Sequence, residues 1–344
     1  MRIAWIVSAQ FLQSTPGGLY SRLASYRYRM IIPARELKKR GHQVIAIGVS
    51  SAAGGYEYAV QQLQHADVVV FGKMWDLALQ ARLLDAARKA NIGAVVDVCD
   101  DYFAGNPAGR FYASVVASGD AVSVASRVLA ARVAAETGRS ASVIVDPCDG
   151  ALGAPKWAPG ARLEAVWFGA ESNLIGLDKA LGGIAASGIA LRLVLVTAGT
   201  PEVLEWVRKT SAALPASIRL EFREWSLEAT AQALRECDIV VLPIDLEREF
   251  SLSKGPNRMV EALWAGRFVA AHPLPAYEEF GEWGWVGGDI AAGLDWAIKH
   301  PSEIVGRIAR AQDYIGARFT AQSVAEAWDN LLTDVLARRT SRIG

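Results

Sequence analysis

The stretch SLSKGPNRMVEALWAG, residues 251–266, holds the side chains best placed to do chemistry. Asn257, Arg258 and Glu261 stand at i, i+1 and i+4, which puts them on one face of a helix. Met259, Val260, Leu263 and Trp264 supply the apolar face. Pro256 suits the first helical turn and Gly266 the position just past the end. Lys254 and Arg258 bring positive charge to a helix N-terminus, where unpaired N–H groups already favour an anion, and Ser253 is a neutral donor-site candidate beside them. At about 1.5 Å per residue, Glu261 lies roughly 5–8 Å farther along the axis. That offset fits a diphosphate followed by the ribose diol of the same nucleotide. The competing reading is an ordinary amphipathic helix, although its basic start opposes the helix dipole.

A second group of candidates is acidic. Asp100 and Asp101 close an apolar run. At a cleft, one of two adjacent carboxyls can gain proton affinity and serve as a general base; otherwise the pair is a helix cap and a solvated partner. Residues leaving a strand point alternately to opposite sides, so Asp100 is the expected base and Asp101 its cap or supporting partner. Gly17 and Gly18 either present backbone N–H groups to a phosphate or make a tight turn. Trp225 follows a predicted strand and either flanks a nucleobase or packs in the core. His272 is a further cleft candidate, whereas His42 reads as structural. Arg27, Tyr28 and Arg29 offer a membrane or acceptor face, or plain surface charge. No His, Cys and Asp grouping has metal-ligand spacing.

These residues must be positioned by an alternating framework. Short apolar runs predict strands over 3–8, 44–49, 68–71, 94–99, 121–124 and 143–145. A loop over 10–19 and helices over 21–40 and 75–90 fall between them. The Pro, Gly and Ala-rich stretch 151–159 reads as a linker. The alternation then restarts, with strands over 166–169, 191–196, 218–222, 239–242 and 268–271 and a helix over 174–186. The chain is helical from residue 290 onward, and Val324, Trp328, Leu331, Leu332 and Val335 form an apolar face over 321–338. Such alternation predicts parallel sheets with helices on both faces, and ligands beyond the carboxyl ends of the strands.

At 344 residues the chain is long enough for two domains, and 52% hydrophobic content supports sizeable cores. Net charge is zero, so no nucleic-acid partner is expected. Residues 1–158 carry 17 basic and 12 acidic side chains, and the remainder carry 19 and 24. That asymmetry orients the first half toward an anionic surface or is merely solvated. Three scattered cysteines, Cys99, Cys148 and Cys237, fit a reducing compartment. The opening segment is too short for a signal peptide and no apolar run reaches the ~18 residues of a spanning helix, so a soluble cytoplasmic protein is expected.

Two α/β units, a Gly17-Gly18 loop and a late Glu261-Ala262-Leu263-Trp264-Ala265-Gly266 helix together resemble the GT-B glycosyltransferases. The sequence is most similar to the group with Glu, seven residues and Glu in its C-terminal domain. The likeness covers nearly the whole chain and includes the run 37–44, LKKRGHQV. The run 95–103, VVDVCDDYF, is similar to a version in bacterial surface-polysaccharide transferases.

The resemblance implies two Rossmann-like doubly wound domains facing a cleft. These are an acceptor-side domain over 1–155 and a nucleotide-sugar-binding domain over 160–320, with the helix over 321–344 packing back on the first. It implies metal-independent, hexosyltransferase-like transfer from a nucleotide diphosphate sugar to a glycan or lipid-linked hydroxyl in bacterial glycan synthesis. No cofactor is implied, and the first domain offers peripheral contact with the inner face of the membrane. Glu261 takes the role of the second Glu, holding the donor ribose.

Three departures stand out. Ser253 replaces the first Glu; Gly169-Ala170-Glu171-Ser172-Asn173 lacks the usual Arg and Lys; and Asp100-Asp101 stands where a His is common. Lys254 and Arg258 are then the replacement cations, and the stereochemical course stays open. The missing Glu also motivates a degenerate binding protein without turnover. A nicotinamide-dependent oxidoreductase is disfavoured, because no G-x-G-x-x-G follows the first strand.

Overall fold

The computed structural model describes residues 1–103 and 108–343. The chain forms two compact α/β units. One comprises Met1–Asp149, Ser253–Gly255 and Arg318–Gly344; the other comprises Gly150–Leu252 and Pro256–Ala317.

In the first unit the strands are β1 (Arg2–Ser8), β2 (Gln13–Thr15), β3 (Gly18–Tyr20), β4 (Gln43–Val49), β5 (Val68–Phe71), β6 (Gly93–Val98), β7 (Ala121–Val124) and β8 (Ser142–Val143). Six of them make a parallel sheet in the order β4-β1-β5-β6-β7-β8. Residues of β1 alternate between faces, as the two-residue period requires. Ala4 and Ile6 join the core under helices Gly55–Leu63, Leu77–Lys89 and Gly109–Ala117. Ile3, Trp5 and Val7 join the opposite core, with Trp328, Leu332 and Val335 of the helix Ala321–Ile343. That final helix packs along Ile32–Lys39 within this unit.

Three local features differ from the sequence reading. The loop expected over 10–19 contains an antiparallel hairpin, β2 with β3, closed by Pro16 and Gly17. The single helix expected over 21–40 is broken into Ala24–Tyr26, a π-helical turn Arg27–Ile31 and Ile32–Lys39. Pro33 explains the break: it has no N–H for the Arg29 carbonyl, and the Ile32 N–H reaches back five residues to Arg27 instead. Arg27, Tyr28 and Arg29 are buried, at 7%, 4% and 3% exposure, so they offer no membrane or acceptor face. Arg29 donates to Asp97 at 2.6 and 3.1 Å, to Asp146 at 3.1 Å and to the Ile144 carbonyl. Its burial is possible because those carboxylates come from β6 and from the chain after β8.

The second unit contains β9 (Leu163–Phe168), β10 (Leu191–Thr197), β11 (Ile218–Glu224), β12 (Ile239–Leu242), β13 (Phe268–Ala271) and β14 (Trp285–Val286). They form a parallel sheet in the order β11-β10-β9-β12-β13-β14. Trp167, Leu195 and Phe268 point into a core with Leu177, Leu294 and Ile308. Both units are therefore doubly wound and Rossmann-like, as the alternation predicts. The stretch 151–159 is no free tether. Gly153 N–H donates to the Trp264 carbonyl at 2.9 Å and Lys156 N–H to the Gly266 carbonyl at 3.0 Å, inside the second unit. No helix among the described residues is long and apolar enough to cross a membrane.

Candidate functional site

In the second sheet the strand order reverses between β9 and β12, which opens a crevice at their carboxyl ends. The helix Asn257–Trp264 begins beside it. Its apolar side, Met259, Val260, Ala262 and Leu263, is buried, and no side chain caps its N-terminus at Pro256. At the other end Gly266 adopts φ +77°. Its N–H donates to the Leu263 carbonyl at 2.9 Å and Arg267 N–H to the Ala262 carbonyl at 3.0 Å, a Schellman stop. A Cβ at Gly266 would lie 2.2 Å from the Ala154 carbonyl oxygen, so both backbone angle and space demand glycine.

Arg258 on the first turn reaches the end of β9. Its Nη1 lies 3.4 Å from the Phe168 carbonyl oxygen, and its guanidinium carbon stands 6.0 Å from the Trp167 ring centre. Gly169 leaves the room: a Cβ there would meet Arg258 Nη1 at 3.2 Å. Burial pushes the Tyr277 phenol up, and Arg258, which hydrogen-bonds to it, offsets part of that shift. The partners described for Arg258 are thus neutral groups. Glu261 and Asn257 are half-buried on the same helix and carry polar or electrostatic contacts of their own.

A narrow pocket at the same crevice is lined by Ser172 and Asn173 after β9 and by Ile244, Asp245, Arg248 and Ser251 after β12. The sequence reading missed Arg248 as a second cation here. Its only sequence signal was its place a few residues past β12. His272 is engaged with backbone: its Nδ1 lies 2.8 Å from the Ile244 carbonyl oxygen and 3.0 Å from the Ile244 nitrogen. It fixes the loop after β12. Trp225 follows β11 at the sheet edge, with its N–H on the Thr197 carbonyl at 2.9 Å. Two strand spacings, roughly 10 Å, separate β11 from β9.

Ser253 and Lys254 group with the first unit, where Ser253 is buried and its carbonyl accepts from the Ser126 hydroxyl at 3.2 Å. Gly17 and Gly18 stand in the exposed hairpin turn, Gly18 at φ +106°. The Asp100–Asp101 pair divides. Asp101 is buried, accepts from Phe103 N–H at 3.0 Å and pairs with Arg132 Nε at 3.0 Å. Asp100 is half-buried and pairs with Lys73 Nζ at 2.6 Å, with the Tyr102 hydroxyl 3.3 Å from the same oxygen. Burial disfavours the Lys73 ammonium, but the neighbouring Cys99, Asp100 and Tyr102 outweigh it and raise its proton affinity. Burial also raises the Cys99 thiol, with Asp100 adding to the effect. Among the described residues no group of three His, Cys, Asp or Glu is placed to hold a metal ion.

No protein-family profile matches the sequence, and no curated protein matches it. Solved structures match in fold. HepE of Anabaena, in complex with UDP-glucose, gives a TM-score of 0.72 at 15% identity, covering 97% of this chain and 100% of that one. A glycosyltransferase from Rickettsia africae gives 0.72 at 13% identity, over 97% and 98%. The lipopolysaccharide outer core galactosyltransferase WaaB, in its apo form, gives 0.64 at 12% identity, over 97% and 99%. The shared architecture is the pair of Rossmann-like units of the GT-B fold.

Proposed function

We propose that the protein is a glycosyltransferase that moves a hexose from a nucleotide diphosphate sugar to a hydroxyl acceptor, without a metal, in bacterial glycan synthesis. The observation that carries this reading is Arg258. It sits on the first turn of an uncapped helix, against the carbonyl at the end of β9, where the strand order reverses. Negative charge builds on a departing diphosphate in the transition state, and a fixed guanidinium with helix N–H groups lowers its energy there. Glu261, farther along the same helix, is the ribose acceptor. HepE is described with UDP and with UDP-glucose, so these are the first ligands to test.

In the transfer, a bond forms from the acceptor oxygen to the anomeric carbon as the bond to the diphosphate breaks. In an inverting course the acceptor proton passes to Asp100, and the electron pair leaves with the diphosphate. The reading goes with a cytoplasmic protein acting on a glycan or lipid-linked acceptor. Calorimetric titration with UDP and with uridine tests it. Arg258→Ala should weaken UDP roughly 10–100-fold, as expected for a charged hydrogen bond of about 1.5–3 kcal/mol, and leave uridine little changed. Equal losses for both would remove the phosphate role. Binding of UDP-glucose without turnover toward any glycan or lipid extract would leave a binding protein.

A further inference from the structure

The carboxyl edge of the first sheet carries a feature that the donor reading does not use. Its strand order reverses between β1 and β5, so the crevice of this unit opens where those two strands end. Trp75 stands there, just after β5. The chain has eleven tryptophans, all among the described residues, and only Trp75 is exposed, at 47%. The ring is held rather than loose: Phe11, just after β1, packs on it with centres 4.8 Å apart, and its backbone N–H donates to the Ser8 hydroxyl at 3.3 Å. Lys73 Nζ lies 5.2 Å from the Trp75 ring centre and 5.5 Å from that of Tyr102. The same ammonium pairs with Asp100 at 2.6 Å, both side chains keeping some exposure.

An exposed, oriented indole beside a donor–acceptor pair matches one ligand chemistry well. A pyranose has an apolar C–H face and a rim of hydroxyls that both donate and accept. The C–H face suits the negative face of an aromatic ring. Lys73 can donate to one ring hydroxyl and Asp100 accept from its neighbour, both as charge-assisted bonds. We propose that Trp75, Lys73 and Asp100 form a sugar subsite of the first unit, in which an acceptor pyranose stacks on Trp75 and bridges the Lys73–Asp100 pair. This rests on the glycosyl-transfer reading, which it deepens by making the acceptor's terminal sugar ring the recognised group.

The test is sugar binding to the full-length protein without nucleotide, by saturation-transfer NMR, using glucose, galactose, N-acetylglucosamine and octyl glucoside. At least one should bind saturably in the millimolar range. Trp75→Ala should weaken that binding about tenfold or more, a loss of about 1.4 kcal/mol, while Trp75→Phe keeps most of it. UDP affinity, measured in parallel, should be the same in all three proteins and reports that the variants are folded. Octyl glucoside binding no tighter than glucose supports recognition of the ring; octyl glucoside binding unaffected by Trp75→Ala overturns it. No saturable binding of any probe by the unaltered protein, or displacement of bound sugar by uridine, also overturns it. Sugar binding that persists where UDP fails to bind supports the subsite and sinks only the transfer reading.

Discussion

The two units share an architecture and differ at the carboxyl edges of their sheets. In the first, the order β4-β1-β5-β6-β7-β8 places the reversal between β1 and β5, and the charges there come paired, Lys73 with Asp100, beside an exposed indole. In the second, the order β11-β10-β9-β12-β13-β14 places it between β9 and β12, and Arg258 leans on a neutral carbonyl at a helix start. A paired ammonium and carboxylate suit a neutral, hydroxyl-rich ligand, whereas a guanidinium among neutral groups suits an anion. The interiors differ too. The first unit buries an Arg29–Asp97–Asp146 cluster, while the ion pairs of the second around Arg192, Glu164 and Glu221 stay partly exposed.

The sharpest way to break this comparison is to remove the basicity of the first edge alone. Asp100→Asn keeps the shape and removes the proton acceptor. Turnover should fall about 10²–10⁴-fold, the usual contribution of a general base, with UDP affinity unchanged. Near-normal turnover would make Asp100 a structural partner of Lys73 and favour a retaining course that needs no protein base.

Next in size is the contrast between interiors. Asp97 holds Arg29 with two hydrogen bonds and accepts a third from the Ser123 hydroxyl at 2.7 Å, all buried. Asp97→Ala leaves a buried guanidinium short of charge and should cost about 3–5 kcal/mol of stability. Glu221→Ala in the half-exposed network of the second unit should cost at most about 1 kcal/mol. Urea unfolding of both variants checks the difference, and equal losses would erase it.

A smaller contrast uses one glycine from each unit. Gly138 ends the helix Arg127–Thr137 at φ +66° with nothing within 4 Å of a Cβ built there. Gly138→Ala should cost only the left-handed backbone penalty, roughly 1–2 kcal/mol. Gly266 carries the same penalty and the Ala154 contact at 2.2 Å. Gly266→Ala should therefore cost roughly 2–5 kcal/mol. If both cost the same, the clamp of residues 150–156 on the helix end is not rigid.

What could be read beforehand follows the range of the physics involved. Parallel strands buried on both faces announce themselves as short apolar runs, so β1, β5 and β12 were legible, and Gly266 was legible as a helix stop. Strand order was not, because it depends on which distant strands pair, and with it went the location of the two crevices. The π turn at Arg27–Ile31 followed from Pro33, a local cause that the helical periodicity masked. Arg27 and Arg29 looked like surface charge because their partners, Asp149, Asp97 and Asp146, lie far away in sequence. Lys73 was invisible for the same reason: its partner Asp100 comes from another strand end. Charged residues reveal their roles only when the fold supplies the partner.

The smallest expected effect is a pH dependence carried by one buried thiol of the second unit. Cys237, at the end of helix Leu227–Glu236 in the second unit, is 2% exposed. Burial pushes its thiol from 9.0 up to about 12, with Arg267 and Lys156 opposing and Asp238 adding to the shift. Because the folded thiol holds its proton more tightly than the unfolded one, the unfolded chain binds fewer protons between those values. Stability from this group is therefore complete below about pH 9 and declines as pH rises toward 12. Other groups titrate in the same range, so the difference between the natural protein and Cys237→Ala isolates it. Between pH 8 and pH 10 the natural protein should lose on the order of 1 kcal/mol more than the variant in urea unfolding. Parallel losses would mean that Cys237 meets solvent in the folded state, and that the interior of the second unit is looser than its apolar packing implies.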